Sequence, residues 1–207
     1  VDLMKSVLAN AKRTVMYYME TGLFSDGTGT SNKQLTGLAA AADDGTNVAT
    51  YGGITRTTYT WWAGQYNDAS SAPISVSLLQ TLWGDVSDGV EKPDLILTHQ
   101  DLWDALALLA ESPVRSDHGD LRRNIGANEL TFHGVPIVIA SQCPNDRVYM
   151  VNTKYIKLRP HKDYTNIKFS GWQKADKQRM LFADLQWKGN LVCTNPRYQG
   201  VIDTLTA

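Results

Sequence analysis

Asp94, His99 and Asp101 are the side chains of this sequence best placed by type and spacing to do chemistry. An imidazole between two carboxylates can pass protons. The stretch reads as a strand-to-helix turn, where open α/β sheets place their sites. A hydrolase using Asp94, His99 and Asp101 is therefore one reading of the chain. Against it, Asp101 is already accounted for by helix capping, and no Ser or Cys nucleophile accompanies His99. His118-Gly119-Asp120 reads as surface loop, and His133 and His161 lack partners at metal-ligand spacing, so no metal is expected. Cys143 and Cys193 form no Cys-x-x-Cys pair. They read as structural thiols of a protein made in a reducing compartment, with a single bridge between them left open. Ser25-Asp26-Gly27-Thr28-Gly29-Thr30 has the look of a phosphate loop, yet no Lys-Ser/Thr follows it and no strand precedes it. No catalysis and no cofactor are expected.

Six Trp and nine Tyr raise a second class of function, stacking on sugars or bases as a carbohydrate-binding module would. Trp83 and Trp103 fall at core positions of helices, where large rings fill space. Trp61-Trp62 is different. On an extended segment adjacent side chains face opposite ways, so one ring can pack inside while its neighbour meets a partner, a role in which Trp is enriched.

The net charge of −1 conceals an asymmetry. Residues 1–153 carry 10 Lys/Arg against 17 Asp/Glu, a net of −7. Residues 154–179 carry 8 basic residues against Asp163 and Asp176, a net of +6. Two readings stand: a solvated strand-and-loop surface, or complementary charge between neighbouring subunits that fixes register. A near-neutral whole lacks the basic excess of most nucleic-acid binders.

These residues need elements to hold them. Leu3, Met4, Val7, Leu8, Ala11, Val15, Tyr18 and Met19 recur at helical spacing, predicting an amphipathic helix over 2–21 that Gly22 ends. Residues 36–50 read as loop with one helical turn, and Ile54 to Trp62 as extended. Ile74, Leu78, Leu79, Leu82, Trp83 and Val86 predict a second helix. The strand 93–98 feeds a third, with Thr98 as N-cap, a buried stripe of Leu102, Trp103, Leu106 and Leu109, and Pro113 at its end. Residues 112–128 read as a mobile loop. Strands are expected over 129–133, 135–140, 147–152, 155–159, 167–172 and 180–193. With 43% hydrophobic and 20% charged residues, the 207-residue chain is long enough for a real core and has no tract resembling disorder. No run approaches the roughly 20 apolar residues of a membrane helix, so no membrane partner is expected.

Several stretches together resemble one family. They are Tyr51-Gly52-Gly53-Ile54-Thr55-Arg56 leading to Trp61-Trp62, and Pro93-Asp94-Leu95-Ile96-Leu97-Thr98 running into its Leu/Trp helix. The Phe132-His133-Gly134-Val135-Pro136 hairpin follows, then the Asn152-Thr153-Lys154-Tyr155 corner. Last come Trp187-Lys188-Gly189-Asn190-Leu191 and Arg197-Tyr198-Gln199-Gly200. In this order, over essentially the whole chain, they are similar to the major capsid proteins of tailed phages (Caudovirales). Singly, such hairpins and turns are common.

The resemblance implies an α+β protein of the Hong Kong 97-like capsid fold, with an axial domain and a peripheral domain carrying a long spine helix. Residues 1–33 would hold the spine helix and part of the peripheral domain, 34–154 the axial domain, 155–189 peripheral strands, and 190–207 the return to the axial domain. The family carries an N-arm and an extended loop before the spine helix, so an N-terminally truncated form is expected. The implied function is a virion coat subunit, assembled in the host cytoplasm. It would self-associate into pentamers and hexamers of an icosahedral shell around phage DNA. Scaffolding, portal and decoration proteins are the implied partners, and DNA is touched only by weak non-specific contact. Trp61, Trp62, Arg115, Arg122, Arg123, Lys154, Lys157, Arg159 and Lys162 are the residues expected at subunit interfaces. An encapsulin-type compartment shell is the alternative with the same fold.

Overall fold

Every side chain of Val148–Val151 is buried, although a strand turns successive residues to opposite sides. Val148 and Met150 join one apolar cluster, Tyr149 and Val151 another. The sheet to which they belong is therefore covered on both faces. The computed structural model describes residues 3–29, 34–111, 121–124, 129–174, 176 and 179–207.

Four helices are described: α1 (Leu3–Leu23), α2 (Leu38–Ala42), α3 (Val76–Val86) and α4 (Gln100–Glu111). The central sheet has seven strands: β3 (Gln65–Asp68), β4 (Leu95–Thr98), β5 (Leu121–Asn124), β6 (Glu129–Phe132), β7 (Val135–Ile139), β8 (Val148–Val151) and β15 (Gly200–Asp203). Their order is β3-β15-β8-β4-β7-β6-β5, with β3/β15 and β4/β7 parallel and the other pairs antiparallel. Helices α3 and α4 cover one face through Leu79, Leu82, Leu102 and Leu106. The end of α1 and α2 cover the other through Phe24, Leu38 and Ala42.

Two local features fix the register. His133 and Gly134 both have positive φ (49° and 80°) between the paired residues Phe132 and Val135. This two-residue hairpin carries the right-handed strand twist, and its second position suits glycine. Gly200 admits close packing: a Cβ there would lie 2.5 Å from Val86 Cγ2 and 2.8 Å from Leu82 Cδ1.

Away from the sheet lie the hairpin β1 (Thr50–Tyr51) and β2 (Ile54–Thr55), and the antiparallel pair β9 (Ile156–Pro160) and β14 (Gly189–Cys193). Beyond them a long hairpin carries β10 (Lys168–Phe169), β11 (Gln173–Lys174), β12 (Leu181–Phe182) and β13 (Leu185–Gln186).

The structure corrects several expectations. Residues 54–62 are not one extended segment: after β2 the chain makes a 3-10 turn at Thr60–Trp62. The third helix starts at Gln100, so Thr98 is the last residue of β4 and His99 takes the capping position, its Nδ1 accepting the Asp101 amide at 3.3 Å. The stretch 112–128 is not all loop, because residues 121–124 form an edge strand on β6. The 180–193 stretch is three short strands rather than one. Helix α1 forms as expected, but of its residues only Gly22 is buried. Leu3, Val7, Met16, Tyr17 and Tyr18 stand 48–72% exposed, while Leu8, Ala11, Val15 and Met19 on the side nearer β13 are half-buried.

One buried cation ties the segment 40–62 together. Arg56 is 1% exposed. It donates from Nη2 to Ala40 O (2.6 Å), from Nη1 to Val48 O (2.9 Å) and from Nε to Trp62 O (3.4 Å). Nη1 also meets Asp43 Oδ2 at 3.4 Å, and the guanidinium lies over the Tyr51 ring at 5.3 Å. Asp43 in turn accepts the amides of Gly45, Asn47 and Val48. A planar fork with five donors suits this set of oxygens, and a lysine does not. Replacing Arg56 with Met is expected to cost about 3–5 kcal/mol, since it strands a buried carboxylate and three carbonyls. Urea unfolding checks this; a variant within about 1 kcal/mol of wild type would show that the network contributes no more than a surface pair.

Candidate functional site

The proton-transfer cluster expected around His99 is not assembled. Asp94 and His99 lie at opposite ends of β4, about 16 Å apart at the strand rise. The Asp94 carboxylate accepts the Thr153 amide (2.8 Å) and hydroxyl, which anchors the 152–155 corner. Among the described residues the His99 side chain meets only Asp101, whose amide its Nδ1 accepts at the start of α4. The hydrolase reading is corrected on this geometry. His133 stacks on Trp83 with centroids 4.7 Å apart and bonds Gln80, while His161 Nδ1 accepts the Asp163 amide. Among the described residues no group of His, Cys, Asp and Glu could hold a metal ion. No described helix is long and apolar enough to cross a membrane.

What the fold does present is exposed surface of two kinds. The first is aromatic. On the 60–62 turn Trp61 is 62% exposed, whereas Trp62 turns inward, donating from Nε1 to Tyr51 O at 2.9 Å. The two rings thus divide as expected, through a 3-10 turn rather than a strand. Tyr59, which the sequence reading passed over, flanks Trp61 with centroids 6.1 Å apart and is also exposed. Its signal was the i, i+2 spacing to Trp61.

The second kind is basic. On β9, Lys157 and Arg159 face out opposite Val192 and Asn190 of β14, with Leu158 exposed between them. Lys162 sits on the next 3-10 turn. Lys157, Arg159 and Lys162 have no ion pair among the described residues. Lys154 differs: it pairs with Glu91 and lies 5.2 Å from the Tyr155 ring centre, so part of its charge is used within the chain. Lys168 and Lys188 both lie over the Tyr164 ring. Farther out, Phe169, Trp172, Met180, Leu181 and Phe182 give the long hairpin an exposed apolar surface. Arg115 falls outside the described residues. Arg122 and Arg123 lie on β5, but their side chains are outside them too.

A cleft of about 390 Å³ opens where the end of α1 meets β3, β8 and β15. Arg147 and Asp203 form an ion pair at 2.7 Å in its wall, and the Tyr66 hydroxyl donates to Asp203 at 3.2 Å. Sequence reasoning missed this cleft because its residues come from five separate segments.

No protein-family model and no curated protein matches the sequence. Solved structures do match. The chain superposes on the cyanophage A-1(L) capsid subunit with a TM-score of 0.74 at 17% identity, over 100% of this chain and 69% of that one. The SrpI encapsulin of Synechococcus elongatus PCC 7942 gives 0.66 at 13%, over 99% and 66%. The satellite phage P4 procapsid gives 0.60 at 11%, over 100% and 65%. The chain therefore has the Hong Kong 97-like capsid fold, an α+β architecture shared by phage capsids and encapsulin shells. It spans about two thirds of the length of the structures it matches.

Neither cysteine belongs to these surfaces. Both are free and buried, Cys143 against Tyr149 and Val151, Cys193 against Tyr51. Burial pushes the Cys143 thiol up to about 12 and Cys193 to about 11. The folded state thus holds both protonated. Their contribution to stability is intact below the unfolded pKa of about 8.5 and is lost as pH rises through about 11 to 12. Ellman's reagent at pH 8 is expected to find no reactive thiol in the native protein and both after unfolding. Rapid reaction of either in the native state would contradict this burial.

Proposed function

We propose that the chain is the major capsid subunit of a tailed phage, assembling as pentamers and hexamers into an icosahedral shell that encloses DNA. The observation that supports this most is the superposition on a phage capsid subunit over the entire chain. In this reading α1 is the spine helix of a peripheral domain within residues 1–33. Residues 34–154 form the axial domain, 155–189 return to the peripheral domain, and 190–207 close the axial sheet. The protein acts by association rather than catalysis, in the virion, after assembly in the host cytoplasm. Scaffolding, portal and decoration proteins would be its partners besides itself, and DNA would be met only through weak contacts.

Trp61 and Trp62, Lys154, Lys157, Arg159 and Lys162, with Arg115, Arg122 and Arg123, would supply contacts between subunits. A head-to-tail interface closes into rings, and a shell gains its strength from many such interfaces, each of order 1,000–2,000 Å². The encapsulin match favours a second reading, a compartment shell of the same fold. Particle contents separate the two: DNA for a phage, protein cargo for a compartment.

Expression of the full-length protein followed by negative-stain microscopy tests the proposal. Shells or flat hexamer sheets are expected, and uniform small particles under every salt and crowding condition would refute it. Changing Lys157 and Arg159 together to Glu is expected to block assembly while the monomer's thermal melt stays unchanged. Normal shells from that variant would remove this strand from the interface.

A further inference from the structure

One edge of the β9–β14 pair is closed by side chains and the other is open. The His161 amide donates to Lys188 O and the Thr194 amide to Tyr155 O, each at 2.9 Å. In an antiparallel pair, bonded positions alternate with unbonded ones, so Leu158 and Leu191 turn their backbone groups away from each other. On the β14 side the outward amides are taken: Leu191 donates to the Asn190 side chain at 3.0 Å and Cys193 to the Tyr51 hydroxyl at 2.9 Å. On the β9 side no described residue bonds the Leu158 N–H or the carbonyls of Ile156, Leu158 and Pro160.

The surroundings leave room for another strand and define its character. Residues 157–162 are exposed throughout. Lys157 and Arg159 stand on one face of β9 and Leu158, 45% exposed, on the other. The β9 strand of a second copy is a poor match. Paired antiparallel about Leu158, it would set Lys157 against Arg159 twice, and like charges directly opposite are destabilising. Pro160 and Lys157 are residues with which edge strands resist such self-pairing. The described edge strands of the central sheet do not supply the opposite charge either. The single carboxylate of β3, Asp68, already accepts from Ser70 and Thr204, and β5 carries Arg122 and Arg123. Lys157, Arg159 and Lys162 are left without an ion pair among the described residues, in a segment of net +6 over 154–179.

We propose that the outer edge of β9 receives an extended acidic segment of a different protein, which adds a third strand beside Ile156–Pro160. The backbone of that segment bonds the Leu158 N–H and the outward carbonyls. Acidic side chains at alternate positions meet Lys157 and Arg159, and apolar ones between them meet Leu158. Main-chain bonds supply the affinity of such an added strand, and the alternation of its side chains supplies the specificity. The contact stands whether or not the protein builds shells.

The test is binding of a short fluorescent peptide alternating Glu and Val to the full-length protein, read by anisotropy. L158P removes the outward N–H and no bond of the β9–β14 ladder, an exchange that edge strands tolerate. It is expected to weaken binding about tenfold with an unchanged thermal melt. Two N-methylated peptides separate strand addition from charge attraction without altering the protein. Methylating the amides of one residue type is expected to abolish binding and those of the other to spare it, because only one edge of the incoming strand meets β9. Equal behaviour of the two peptides overturns the proposal, as does a folded L158P protein that binds like wild type. The double variant K157E, R159E is expected to exchange the Glu peptide for one alternating Lys and Val, and an unchanged preference places the contact elsewhere. Full-length protein that takes no peptide also overturns the proposal, the result expected where its own chain or a second copy fills the edge.

Discussion

The joining of the first helices to the central sheet depends on one buried guanidinium. The segment from Ala40 to Trp62 has little regular structure: a five-residue helix, a two-residue strand pair and a single 3-10 turn. Its backbone carbonyls would stand buried and unpaired if Arg56 did not reach them. By binding the end of α2, the 43–48 loop and Trp62 at once, Arg56 sets the direction in which the chain enters β3. It also decides which of the two tryptophans faces solvent. A charge holding backbone is less forgiving than apolar packing, because removing it leaves each acceptor dry and unpaired rather than merely loosened.

The long helices and the central strands β4, β6, β7 and β8 were legible because their signals are local, whereas β3 and β15, which pair across distant parts of the chain, were not. The stripe Leu79, Leu82 and Val86 has helical period, which marks the helix without its cap. The His133-Gly134 turn between two apolar runs announces a hairpin. The short strands were misjudged where tertiary partners decide them. Residues 121–124 are polar and become a strand through pairing with β6, which no local period encodes. Thr98 and His99 are both plausible caps, and the length of β4 chose between them. Arg56 and the cleft were invisible for the same reason. Both join residues far apart in the chain, and an isolated Arg or Asp carries no mark of its distant partner.

The residues proposed for contacts between subunits follow a related logic. A side chain that serves within the subunit is recognisable by its partners, as Trp62 and Lys154 are. Trp61 and Tyr59 stand exposed although their rings meet, and Lys157 and Arg159 have no ion pair among the described residues. The exposed apolar residues of α1, Leu3, Val7, Met16, Tyr17 and Tyr18, belong with the second group, although Leu8, Ala11, Val15 and Met19 on its other side are half-buried. Apolar area of this extent on one subunit is a mark of association.

The position of β15 has a consequence for how the protein is made. Gly200–Asp203 lies between β3 and β8, pairing with both, so it is an interior strand of the sheet drawn from far along the chain from β3. Until the ribosome has delivered residue 203, β3 has no neighbour to pair with, and the Ile202 position in the core stands open. Pairing across so long a separation is slow, since the loop must close before the contacts repay it.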